Sequence, residues 1–218
     1  MAPDRLPAFR RELEAAALQD GKLTAGIQSG KVKENLQADA ADPTVRRLAD
    51  EVLRSLEQNP LFLSAALPRH VFPPIFSRYD VGMKFGAHVD NAIRQYPGTA
   101  NRLRTDLSAT LFLSDPDEYD GGELMIEDSY GTHAVKLPAG HMVLYPSTSL
   151  HLVTEITRGA RIASVFWLQS MVKDMGERAL LFDLDQSIQS LTPANASDPA
   201  LVRLTATYHN LLRRWAEL

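Results

Sequence analysis

The chain has 218 residues, 44% hydrophobic and 23% charged, which suits one globular body and excludes the disordered and fibrous classes. A net charge of -4 offers no general attraction to phosphate backbones or anionic membranes, so neither nucleic acid nor a membrane is an expected partner. There is no cysteine, which excludes disulfides, thiolate metal sites, iron–sulfur clusters and a cysteine nucleophile. Any metal must be held by His, Asp or Glu.

The N-terminal stretch "MAPDRLPAFRRELEAAALQD" is charged throughout and lacks the apolar core of a signal peptide. No run approaches the roughly 18 apolar residues of a membrane span, so a cytoplasmic location is expected. In "RLPAFRRELEAAALQ" Leu6, Phe9, Leu13 and Ala17 recur at three- and four-residue intervals and predict a helix. "GKLTAGIQSGKVKENLQ" is mixed, with room for a strand. A second helix is predicted over "DPTVRRLADEVLRSLEQNP", where Asp42 serves as N-cap, Pro43 suits the first turn and Asn59-Pro60 acts as the stop.

From Val71 to Ser170 the pattern becomes short β-rich runs separated by turns, with strands predicted near "VFPPIFSRY", "DLSATLFLS", "GELMIE", "THAVKL", "HMVLYP", "HLVTEI" and "RIASVFWLQ". The turns "DPDEYDGG", "DSYGTH" and "LPAGH" carry the Gly, Asp and Pro that reverse a chain. So many strands without intervening helices predict a double-sheet jelly roll. Helices return in "KDMGERALLFDLDQSIQSL" and in "SDPALVRLTATYHNLLRRWAEL", the latter with a stripe of Leu201, Leu204, Tyr208, Leu211, Leu212 and Trp215. The expected architecture is therefore α+β: an N-terminal helical support over residues 1–70, a jelly-roll core over 71–170 and a C-terminal helical extension over 171–218. The last helices either buttress a sheet or form a subunit contact, which leaves a homo-oligomer open.

In "FGAHVDNAIR" His88 and Asp90 stand two apart in a strand-like neighbourhood. Residues i and i+2 of a strand share a face, with Cα atoms about 6–7 Å apart, so the two can converge on one ion. His151, 61 residues after Asp90 and at the start of a predicted strand, is the best third ligand. Two His and one carboxylate make the facial triad that suits non-haem Fe(II) and leaves positions open. Taken alone, a His-x-Asp pair is more often a hydrogen-bonded polar pair. Arg161, ten residues past His151, opens an apolar run that would bury a guanidinium, which calls either for an anion or for an exposed strand end or a protein carboxylate.

The order His88-x-Asp90, His151, Arg161 resembles the iron(II)- and 2-oxoglutarate-dependent oxygenases of the prolyl 4-hydroxylase type. More closely, "NPLFLSAALPRHVFPPIFSRYDVGMKFGAHVDNAIR", "RTDLSATLFLSDPDEYDGGELMIEDSYGTHAVKLPAGHMVLYPSTSLHLVTEITRGARIASVFW" and "SMVKDMGERALLFDLD" resemble the bacterial PKHD-type hydroxylases, the PiuC/YbiX-like family. The likeness runs from about Gly21 to Ser190; the N-terminus departs from it by beginning almost at the first helix.

The resemblance implies a double-stranded β-helix with flanking helices. It implies Fe(II) on His88, Asp90 and His151, and 2-oxoglutarate chelating the metal with its distal carboxylate on Arg161. Dioxygen is then consumed, 2-oxoglutarate becomes succinate and carbon dioxide, and a substrate is hydroxylated, with L-ascorbate as reductant. Tyr79 is either a second contact for 2-oxoglutarate or a core tyrosine, and Asn91 and Arg94 are candidate substrate contacts on a lid or loop. The family's association with bacterial iron uptake implies a siderophore or related small molecule as substrate, with a peptide or an amino-acid-like metabolite as the open alternative. The competing class is a non-catalytic jelly-roll module that binds a metal or small molecule, for example to sense iron. His70, His133, His141 and His209 lack partners at ligand spacing and read as background, and Ser164 falls on the strand face opposite Arg161.

Overall fold

Helices begin where the chain supplies its own caps. In the computed structural model, which describes residues 4–195 and 197–218, the Asp42 carboxylate accepts the Thr44 N–H at 2.7 Å and Asp198 accepts that of Ala200 at 2.7 Å. Asn59-Pro60 does more than stop a helix: Asn59 Oδ1 accepts the Phe62 N–H at 3.1 Å and starts another. The first third of the chain thus gives α1 (Leu6–Glu14), β1 (Leu18–Asp20), two 3-10 turns at Gly21–Thr24 and Ser29–Lys31, β2 (Lys33–Glu34), β3 (Leu36–Ala38), α2 (Pro43–Glu57) and α3 (Pro60–Ala66).

The β-rich middle comprises β4 (Pro68–Val71), β5 (Ile75–Tyr79), β6 (Lys84–His88), β7 (Ile93–Gln95), β8 (Arg102–Arg104), β9 (Leu107–Phe112) and β10 (Tyr119–Gly121). It continues with β11 (Leu124–Asp128), β12 (Gly131–Val135), β13 (Met142–Pro146), β14 (His151–Val153), β15 (Ile156–Gly159) and β16 (Arg161–Ser170). Two helices follow, α4 (Met175–Asn195) and α5 (Pro199–Trp215). "HLVTEI" is two strands, because β14 pairs with β6 and β11 while β15 leaves to pair with β10. The predicted lid "NAIRQYPGTANRLRTD" is a hairpin of β7 and β8.

Two sheets face each other. The larger has seven strands in the order β1-β3-β5-β16-β9-β13, with β4 also on β16; the smaller runs β12-β11-β14-β6-β2. Together they form the expected jelly roll, and its flanking helices sit on the larger sheet. Even-numbered residues of β16 (Ile162, Phe166, Leu168) pack with Phe9, Leu48 and Val52 of α1 and α2, while Tyr79, Phe112, Leu124, Tyr145 and Val153 fill the space between the sheets. β9 is buried along its whole length because helices cover one face and the other sheet covers the second. The odd face of β16, from Arg161 to Trp167, is therefore turned into the interior, and Ser164 falls on the helix side as its parity predicts.

Two glycines hold the β10–β15 pair. Gly121 and Gly159 have φ of +72° and +71°, and a Cβ on either would lie about 2 Å from a backbone oxygen, that of Glu155 or Glu118. At the chain's other end, Leu67, Val172 and Leu181 form a separate cluster against Tyr208, Leu211, Leu212 and Trp215. The α5 stripe is thus already packed within its own chain. No described helix is long and apolar enough to cross a membrane.

Candidate active site between the two sheets

His88 and His151 are brought together by strand pairing: they are register partners across β6 and β14. The next register pair is Val153 with Phe85, so β6 carries one extra residue at Gly86–Ala87. This bulge changes which side chains share a face. Phe85 and His88, of opposite parity, both point inward, and their rings stack at 3.6 Å between centroids. Asp90 lies two residues beyond the end of β6, where it completes a cluster with both histidines whose potential ligand atoms all lie within 4.8 Å of one another.

The surroundings orient each donor. His88 Nδ1–H donates to the Gly86 carbonyl at 2.8 Å and His151 Nδ1–H to that of Ser149 at 3.0 Å, which leaves both Nε2 lone pairs for the centre. Ser108 Oγ–H donates to Asp90 Oδ2 at 2.6 Å and is itself 2.8 Å from Ser147 Oγ. Burial, then the neighbouring His151 ring, push His88 down to about 4, so it stays neutral and able to ligate at ordinary pH. Two imidazoles and one carboxylate with open positions fit a non-haem Fe(II) ion.

Arg161 lies at the interior end of β16, paired in register with Tyr79 on β5. Its side chain is 1% exposed, with the guanidinium carbon 5.4 Å from the Tyr79 ring centre and 5.3 Å from that of Phe112. It has no carboxylate partner among the described residues, and its Nε has no hydrogen-bond acceptor. A guanidinium buried in this way fits a missing anion, and a dicarboxylate such as 2-oxoglutarate is one. Burial raises the Tyr79, Tyr119 and Tyr145 hydroxyls, so all three are protonated donors at neutral pH.

One cavity joins these groups, lined by His88, Asp90, His151, Tyr79 and Arg161, and also by Asn91 and Arg94. All seven residues singled out in the sequence therefore reach one space. Sequence reasoning missed Lys33, Asn35 and Gln37, which line the same cavity from the segment read as mixed. Their period-two spacing was the available signal, but polar residues alternating along a strand look the same whether they face water or a cavity. The background histidines stay apart from the cluster; His133, for example, pairs with Asp128 at 3.0 Å on the surface.

This fold and site define a class. Residues 74–169 match the family model of the 2OG-Fe(II) oxygenase superfamily, and residues 176–217 match that of the PKHD-type hydroxylase C-terminal domain. A PKHD-type hydroxylase of Stutzerimonas stutzeri is 59% identical over 210 residues, covering 96% of this chain and 93% of that protein. One of Gluconobacter oxydans is 59% identical over 219 residues, covering 100% and 96%. The chain belongs to the PKHD-type hydroxylases, and it is an iron(II)- and 2-oxoglutarate-dependent oxidoreductase. Among solved structures, a Pseudomonas putida prolyl-4-hydroxylase shares the fold with a TM-score of 0.55 at 21% identity, covering 78% of this chain and 88% of that one. HygX of Streptomyces hygroscopicus, solved with nickel, 2-oxoglutarate and hygromycin B, does so with a TM-score of 0.50 at 15% identity, covering 76% and 78%.

Proposed function

We propose that His88, Asp90 and His151 hold the Fe(II) and that Arg161 binds the distal carboxylate of 2-oxoglutarate, with the Tyr79 hydroxyl as a second donor. The observation that carries this reading is the Arg161 guanidinium, buried without an acid and opening onto the cavity that holds the three ligands. The metal and cosubstrate supply the oxidant: one oxygen atom of dioxygen enters a substrate C–H bond, the other enters succinate, and carbon dioxide leaves. The chain's own residues hold and shield these groups. The two histidines are kept neutral and aimed, Ser108 fixes the Asp90 carboxylate, and the aromatic walls around Arg161 exclude water and strengthen its hold on an anion. Asp90 supplies a carboxylate in the cluster, which would hold the metal where the resemblance implies that related halogenases carry a small residue, and this favours hydroxylation.

Carried over from the resemblance are ascorbate as reductant and a substrate that is siderophore-related, or peptide- or amino-acid-like, linked to iron uptake; a cytoplasmic location is carried over from the sequence pattern. Division of the chain near residues 70 and 170 comes from the change to short β-rich runs along the sequence, and the family matches at 74–169 and 176–217 support it.

The test is succinate formation from 2-oxoglutarate by anaerobically prepared protein given Fe(II), ascorbate and then oxygen. Native protein should make succinate, His88→Ala and Asp90→Ala should not, and Arg161→Gln should need roughly 10- to 100-fold more 2-oxoglutarate. Tight metal binding without any turnover would instead favour a sensing module.

A further inference from the structure

Beyond the ligand cluster the cavity contains a second pair of cations. Lys33 is 6% exposed; its Nζ donates to Thr24 Oγ1 at 3.1 Å and lies 5.3 Å from the Phe85 ring centre. The Arg94 guanidinium carbon is 3.7 Å from the Trp167 ring centre and 5.0 Å from that of Phe72, and its Nε is buried without an acceptor. Neither cation forms an ion pair with a carboxylate among the described residues. They also oppose each other: burial, then the charge of Arg94, hold Lys33 down to about 8.

The charges of the loaded site balance without these two residues. Fe(II) and Arg161 bring three positive charges, and Asp90 with the two carboxylates of 2-oxoglutarate brings three negative ones. Lys33 and Arg94 are left with only Asp90, already counted in the ligand cluster, and the exposed Asp20 as nearby acids, an arrangement that is costly unless an anion joins them. Nor is the cosubstrate placed to serve both Arg161 and Arg94. Arg94 stacks on Trp167, six residues from Arg161 along one face of β16, or about 20 Å of strand, which a five-carbon dicarboxylate held at Arg161 does not span.

We propose that the molecule hydroxylated here is a carboxylate-bearing small molecule, its carboxylate held by Lys33 and Arg94 and its apolar body lying against the Trp167 and Phe85 side of the cavity. This rests on the oxygenase reading and narrows its substrate class. A planar carboxylate suits the free Nε edge of Arg94, which can donate two parallel hydrogen bonds where an ammonium cannot.

The experiment uses matched probes, phenylacetate and phenylacetamide, which are alike in shape and differ in charge. Each is titrated calorimetrically into protein loaded with Ni(II) and saturating 2-oxoglutarate, so that Arg161 is already engaged. Phenylacetate should bind roughly tenfold tighter than the amide. That gap should close in Arg94→Gln and Lys33→Gln and persist in part in Arg94→Lys, which keeps the charge. Equal binding of the two probes to native protein, including no binding of either, overturns the proposal whatever the variants do. A tenfold loss of 2-oxoglutarate affinity in Arg94→Gln also overturns it, because the cations would then serve the cosubstrate. Failure of native protein to bind Ni(II) and 2-oxoglutarate at all would remove the oxygenase reading itself, a result separable from the other two.

Discussion

The hydroxyl of Ser108 is a sensitive handle on the metal site, because it touches only the Asp90 carboxylate and Ser147 and would not itself ligate. Ser108→Ala frees Asp90 to rotate and should weaken metal binding about 10-fold or more, read by titration with Ni(II) or Mn(II) while circular dichroism stays unchanged. His88 gives a pH prediction. Its folded-state pKa of about 4 lies below the ordinary 6.5 because the neutral ring is buried beside His151. As pH falls through about 6.5 the unfolded chain takes up a proton that the folded chain refuses until about 4, so the metal-free protein loses stability across that window. The urea midpoint should fall less over the same range in His88→Gln. Among single residues, the convergence of His88, Asp90, His151 and Arg161 on one cavity was legible in the sequence because their chemistry is unusual for their surroundings. Lys33 was not, since a lysine in a two-residue strand carries no local sign of which way it points.

At the scale of elements, the readable features were local ones. Asp42-Pro43 and Asp198-Pro199 start helices through contacts two residues away, so the pattern and the structure agree there. β1, β2 and β3, with two or three residues each, are made strands by their neighbours and leave no periodicity to detect. The bulge in β6 was hidden for a similar reason: nothing in "KFGAH" says that Phe85 and His88 share a face until β14 is placed beside them. The β10–β15 pair offers a sharp test of element geometry. In Gly159→Ala a Cβ must enter the left-handed region and meet the Glu118 carbonyl. The left-handed backbone alone costs about 1–2 kcal/mol. Chemical denaturation should show at least that loss, and a similar one for Gly121→Ala.

For the molecule as a whole, the site is a stability reserve that stays unused until its ligands arrive. Metal and 2-oxoglutarate bind only the folded chain, so the loaded form at about 100 times the dissociation constant should be stabilised by roughly 2.7 kcal/mol, measured as a rise in urea midpoint. Arg161→Gln should show less of this rise on adding 2-oxoglutarate, since its binding is weakened. The extra residue in β6 gives that linkage a location. His88 and His151 stand directly opposite each other although 63 residues apart in the chain, so an ion between them is a removable cross-link that closes a long loop. Sliding either strand by one position would turn a histidine away, so metal loading and strand registration become a single cooperative event. Amide hydrogen exchange at Phe85 and Val153 would then report whether the ion is in place, with no need to see the ion itself.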